Sequence, residues 1–196
     1  MLSLTRQKDV NEAWIIGGGP SLHDFDFTRL KNKFTIGCNR AAFDAGTDVV
    51  FSIDRNFMKQ YREDMSRFDG LVYLAPRKWT DYLDHPYAVQ KYIWNRSSDL
   101  SHAPPYIQGL HTGQGALNFA VLEGFTEIHI LGIDLNQQGH WHHGYGGRQS
   151  LTSMQRWAYD MDMLKPDLDA MGVKVFNYSP DSAVRAYPFK NLEEIQ

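Results

Sequence analysis

The chain has 196 residues, 42% hydrophobic and 22% charged, with a formal net charge of −3. Those values fit a globular chain of average composition, and the slight acidity excludes a global basic field for nucleic acid. The one cysteine, Cys38, excludes an internal disulfide and a thiolate zinc cluster; with an N-terminus too polar for a signal peptide and no apolar run of transmembrane length, the expectation is a cytoplasmic protein without a membrane span.

Short apolar runs alternate with longer mixed segments. That pattern predicts an α/β fold, a single Rossmann-like domain over residues 1–196, its sheet mainly parallel with helices on both faces. Strands are expected at 13–17, 33–37, 48–53, 70–75, 126–132 and 173–178, with a weaker one at 89–94. Helices are expected at 56–68, 113–123 and 150–171, with a short one at 192–195. The second of these carries Ala116, Leu117, Ala120, Val121 and Phe125 at helical spacing, and Gly124 stops it. Met154, Trp157, Met161 and Leu164 form a core stripe on the third, which Pro166 kinks or divides.

The first strand runs into "GGGPSL". No Lys-Ser/Thr pair closes this turn, so it is not a Walker loop. Leu22 stands where a dinucleotide fingerprint needs a third small residue, and Cys38-Asn39-Arg40 stands where it needs an acid. In an open parallel sheet, ligands sit beyond the carboxyl ends of the strands. That rule collects Gly17, Gly18, Gly19, Pro20 and Ser21 after the first strand, Asn39 and Arg40 after the second, and Asp54 after the third. It adds Gly132, Asp134 and Asn136 after the strand at 126–132. Thr112 and Gly113 open a helix whose amides and dipole suit an anion. Plain structural roles stand beside these: turn glycines, a Thr112 N-cap and an Asp54 cap.

Four motifs, "GGGPSLHDFDFTRL", "GCNR", "DVVFSIDRNF" and "TGQGALNFAVLEGFTEIHILGIDL", resemble in order those of glycosyltransferase family 42, the bacterial sialyltransferases. The same segments are similar to the domain-of-unknown-function 115 group, which includes flagellin-modifying glycosyltransferases and archaeal hydroxymethylpterin pyrophosphokinases. The ending, "GVKVFNYSP" and "YPFKNLEEI", is similar to small phage-encoded members. The sialyltransferase resemblance implies a CMP phosphate held by Gly17–Ser21 and Thr112–Gly113. It implies a nucleotide contact from Asn39, cytidine contacts from Gly132, Asp134 and Asn136, and a base from a lid histidine. Gly109-Leu110-His111 stands where those enzymes carry an arginine, and Asp54 where they carry an asparagine.

The lid, "NQQGHWHHGYGGRQS" at 136–150, holds His140, His142 and His143 around Trp141. Three readings stay open: a solvated aromatic-anchored loop, a metal site, or an acid/base or phosphate-contacting group. With Asp134 the one nearby carboxylate, no full zinc pattern is present and no metal is assigned. His143, beside the glycine-rich hinge, Tyr145 and Arg148, is the first choice of base, with His140 and His142 behind it. The expected function is transfer from a nucleotide-sugar, foremost a CMP-sugar, to a glycan or other hydroxyl acceptor, with no further cofactor. The alternatives are a pyrophosphokinase-like phosphotransferase with Mg²⁺ on Asp54 and Asp134, or a non-catalytic domain that binds a nucleotide or a protein. No nucleic-acid partner is expected.

Overall fold

The computed structural model describes residues 11–136, 139–142 and 149–195. Six strands form one parallel sheet: β1 (Glu12–Ile16), β2 (Thr35–Cys38), β3 (Val49–Ser52), β4 (Leu71–Leu74), β7 (Glu127–Leu131) and β8 (Lys174–Asn177), in the order β4-β3-β2-β1-β7-β8. The chain steps outward from β1 to β4, then returns to lay β7 against the other side of β1. Two short strands, β5 (Ile93–Asn95) and β6 (Tyr106–Gln108), pair in parallel beside the main sheet.

Successive side chains of a strand point to opposite faces, so each strand supplies two cores. Ala13, Ile15, Ile36, Phe51 and Ile130 face helices α4 (Thr112–Leu122), α5 (Leu151–Asp162) and α6 (Lys165–Ala170). On the other face, Val50, Val72 and Leu74 pack on α2 (Arg55–Gln60) and α3 (Arg62–Ser66), while Trp14, Ile16 and Leu131 cover Leu22 and Leu30. A five-residue helix, α1 (Ala41–Ala45), lies flush on β2, where a Cβ on Gly37 would sit 2.3 Å from the Ala42 Cα. The fold is the expected Rossmann-like α/β architecture. Among the described residues no helix is long and apolar enough to cross a membrane.

Several boundaries differ from the expected ones. The helix expected at 56–68 breaks at Tyr61 (φ −108°, ψ 27°), whose ring turns inward against Phe57 and Phe43. The helix expected at 150–171 divides into α5 and α6, with Pro166 in the first turn of the second, where its missing N–H costs no helical hydrogen bond. The weak strand expected at 89–94 is a single bridge from Val89 to Tyr73 followed by β5. The last helix is one 3₁₀ turn, Leu192–Glu194, closed by an Asn191–Glu194 capping box.

Candidate active site

The chain switches direction between β1 and β7, and such a point opens a crevice at the carboxyl edge of the sheet. A cleft of about 1160 Å³ lies along that edge, bounded by Gly17 and Gly18 after β1, Asn39 after β2 and Asp54 after β3. Its remaining walls include the start of α4, Ile133 and Leu135 after β7, and the lid residues His140 and His142. Gly19, Pro20, Ser21, Arg40, Gly132, Asp134 and Asn136 are not on its wall.

The glycine turn is built for close approach to protein rather than for ligand alone. A Cβ on Gly17 would lie 2.3 Å from the Gly132 carbonyl oxygen, and one on Gly19 would lie 2.5 Å from the Asp134 carboxylate. The Gly17 and Gly19 amides donate to the carbonyls of Leu131 and Gly132, both at 2.8 Å. Pro20 opens a 3₁₀ turn over Pro20–Leu22. Ser21 then donates to Asp134 twice, from its amide at 2.8 Å and its hydroxyl at 2.7 Å. Ser179 completes this clasp: its hydroxyl lies 3.1 Å from that of Ser21 and accepts from the Gly132 amide at 3.0 Å.

Two carbonyls of the same turn hold the lid. The Trp141 indole donates to Gly17 O at 2.9 Å and its amide to Gly18 O at 3.2 Å, while its ring packs 4.6 Å from Phe27. His140 Nδ1 lies 3.1 Å from Gly18 O, and the His140 and His142 rings stack at 4.9 Å. A Cβ on Gly18 would come within 2.8 Å of both rings, so only glycine lets the histidines reach the cleft here. His140 is exposed and His142 buried. His143, Tyr145 and Arg148 lie outside the described residues.

Across the cleft, α4 begins at a residue with no side-chain cap, the extended His111 (φ −145°, ψ 166°). The amides of Thr112, Gly113 and Gln114 therefore have no intrahelical acceptor and present the positive end of an eleven-residue helix. Beside them, Asn39 sits at the end of β2 in the left-handed region (φ 53°), a conformation asparagine tolerates better than most residues. Its carboxamide oxygen accepts from Ser52 Oγ at 2.6 Å and Thr112 Oγ1 at 3.4 Å, which leaves the amide NH₂ as its donor. Leu135, also on the wall, holds the same strained conformation (φ 50°). Asp54 caps α2 by accepting from the Asn56 amide at 2.7 Å. Arg40 is half-buried off the cleft wall, paired with Asp44 through two bonds at 3.0 and 2.9 Å and lying 5.5 Å from the Tyr61 ring.

Several wall residues fall outside the expected set. Arg77 and Lys78 follow β4, and Arg77 lies 4.7 Å from the Trp94 ring. The rule applied to the other strand ends would have found them. His85 lines the far wall with Nδ1 2.7 Å from the Tyr87 hydroxyl, and burial first, then the Arg62 guanidinium, lowers its pKa. His111 stacks on Trp157 of α5 at 5.4 Å, and burial pushes it down to about 4. No local signal marks His85 or His111, whose surroundings come from elements remote in the chain. The wall thus combines basic side chains, free helix amides, imidazoles and the Trp94 and Trp157 rings, a set suited to an anionic ligand with an aromatic ring.

No family model matches the chain. No curated protein sequence matches it either. Solved structures do. The sialyltransferase CstII from Campylobacter jejuni, in complex with the substrate analogue cytidine-5'-monophosphate, matches with a TM-score of 0.56 at 16% identity, over 91% of this chain and 84% of that one. The sialyltransferase CST-II in complex with a trisaccharide acceptor and CMP matches with a TM-score of 0.54 at 17% identity, over 87% and 82%. The alpha-2,3-sialyltransferase from Campylobacter jejuni in apo form gives 0.57 at 14%, over 97% and 84%. The chain has a sialyltransferase-like fold. These matches do not extend to the domain-of-unknown-function 115 or phage resemblances.

Proposed function

We propose that the protein is a nucleotide-sugar-dependent glycosyltransferase that takes a CMP-sugar donor in the carboxyl-edge cleft. The observation that carries this reading is the convergence of the uncapped α4 N-terminus, Asn39 and the lid residues His140 and His142 on one cleft at the sheet's switch point. The shared fold with CMP-bound sialyltransferases supports the choice of nucleotide.

In this reading the amides of Thr112 and Gly113 face the donor phosphate, and the Asn39 NH₂ donates to the ribose or base. A lid histidine takes the proton of a glycan hydroxyl. That oxygen attacks the anomeric carbon, the bond from that carbon to the phosphate oxygen breaks, and CMP leaves with the electron pair. The helix end stabilises the charge that develops on the leaving phosphate. No resident cofactor enters these steps. The phosphotransferase alternative has less support: Asp134 is off the cleft wall with both carboxylate oxygens accepting from Ser21, while Asp54 caps α2.

CMP release from CMP-sialic acid in the presence of a glycan acceptor tests the reading. Wild-type protein should release CMP without added Mg²⁺. Alanine at the histidine that acts as base should lower turnover by about a hundred- to ten-thousand-fold while CMP affinity holds. Unchanged turnover in His140→Ala, His142→Ala and His143→Ala alike removes the lid from the chemistry. Absence of CMP release from wild type removes the transferase reading.

A further inference from the structure

The amino edge of the same sheet carries a separate group of ligating side chains. Glu12 and Glu127 are register partners on β1 and β7, and His129 follows Glu127 by two residues on the same face. An oxygen from each carboxylate and a His129 ring nitrogen all lie within 4.8 Å of one another. The glutamates are partly exposed, whereas His129 is 3% exposed and stacked on Trp14 at 4.0 Å. Its Nδ1 meets the Tyr178 hydroxyl at 3.2 Å, but its Nε2 is buried with no hydrogen-bond partner. Nε2 faces Glu127 Oε1 at 3.3 Å without hydrogen-bond geometry. With the ring proton on Nδ1, two carboxylates and an imidazole nitrogen without a hydrogen-bond partner converge as acceptors, an arrangement that a cation resolves.

We propose that Glu12, Glu127 and His129 bind a divalent transition-metal cation of the zinc type, which ties β1 to β7 at the amino edge. A mixed set of carboxylates and imidazole suits zinc, whereas Mg²⁺ and Ca²⁺ favour oxygen alone. The 3.3 Å separation of Nε2 and Oε1 matches the edge, about 3.3 Å, of a tetrahedron with metal–ligand bonds of about 2.0–2.1 Å. In this site Nδ1 carries the proton and donates to the Tyr178 hydroxyl 3.2 Å away, which orients the ring and makes Nε2 the ligand atom. The remaining coordination opens to water through a surface cleft of about 550 Å³ that Glu12, Lys33 and Glu127 border. Lys33, over Trp14 at 5.5 Å, and Lys190, over Phe176 at 3.6 Å, lie on the same side and temper the affinity. The site is remote from the transferase cleft, so its role is to stabilise the strand pair whose other ends carry the Gly17 turn and the Gly132 loop.

Zinc ions titrated into the chelator-treated full chain test the site, read by calorimetry and by melting temperature. The comparison is wild type against Glu12→Gln and Glu127→Gln, both partly exposed positions where the change keeps size and shape. Any zinc held by lid histidines is common to all three proteins, so the difference isolates this site. Wild type should bind one equivalent that each variant loses or binds at least about tenfold more weakly. The zinc-dependent rise in melting temperature should shrink in both variants, and Mg²⁺ should give no rise. Equal stoichiometry, affinity and melting shifts in the three proteins overturn the proposal.

Discussion

Both carboxylate oxygens of Asp134 accept from one residue, Ser21, whose amide and hydroxyl lie at 2.8 and 2.7 Å. Asp134 is 4% exposed, and its removal leaves the half-buried Ser21 amide and hydroxyl without their acceptor. Asp134→Ala should destabilise the fold by about 1–3 kcal/mol in urea unfolding. CMP affinity should change little, because the residue is not on the cleft wall. Intact stability with lost nucleotide binding would return Asp134 to the ligand. The sequence placed Asp134 at the correct strand end but could not separate these roles, since its partner is 113 residues away. Gly18 was legible only as a turn for the same reason: the rings that exclude a Cβ there belong to the lid.

At the scale of elements, α4 starts with an uncapped first turn and an imidazole whose Nε2 is buried without a hydrogen-bond partner. Burial pushes His111 down to about 4 from an ordinary 6.5. Burial first, then Lys190 and Lys33, does the same to His129 on β7. A folded-state pKa below the unfolded value means that the unfolded chain binds more protons between pH 6.5 and 4. Stability contributed by these two neutral histidines is therefore fully present above pH 6.5 and declines as pH falls toward 4. Urea unfolding across pH 4–7 in chelator should show that decline, with a shallower slope in His111→Gln. An identical slope in wild type and variant would mean that His111 does not titrate in this way. The helix itself was readable from its apolar spacing. The uncapped His111 was not, because its ring is buried by Trp157 of α5.

Across the whole molecule, the strands were legible because both faces of a parallel sheet are covered, which writes each strand as a short apolar run. β6 was not, and β5 only as the end of the weak strand expected at 89–94, since three-residue strands beside the sheet carry no periodicity of their own. The carboxyl-edge rule turned strand order into a candidate site and brought Gly17, Gly18, Asn39, Asp54, Thr112 and Gly113 to one cleft. It could not tell wall residues from those that brace the wall behind. Calorimetric titration of CMP into the full chain without metal tests the central claim most directly. The account predicts one CMP per chain, bound at least about tenfold more weakly by Asn39→Ala, a loss of about 1.4 kcal/mol. ATP with Mg²⁺ should bind more weakly than CMP. No CMP binding, or binding that Asn39→Ala leaves unchanged while Mg²⁺-dependent ATP binding is tight, would contradict it.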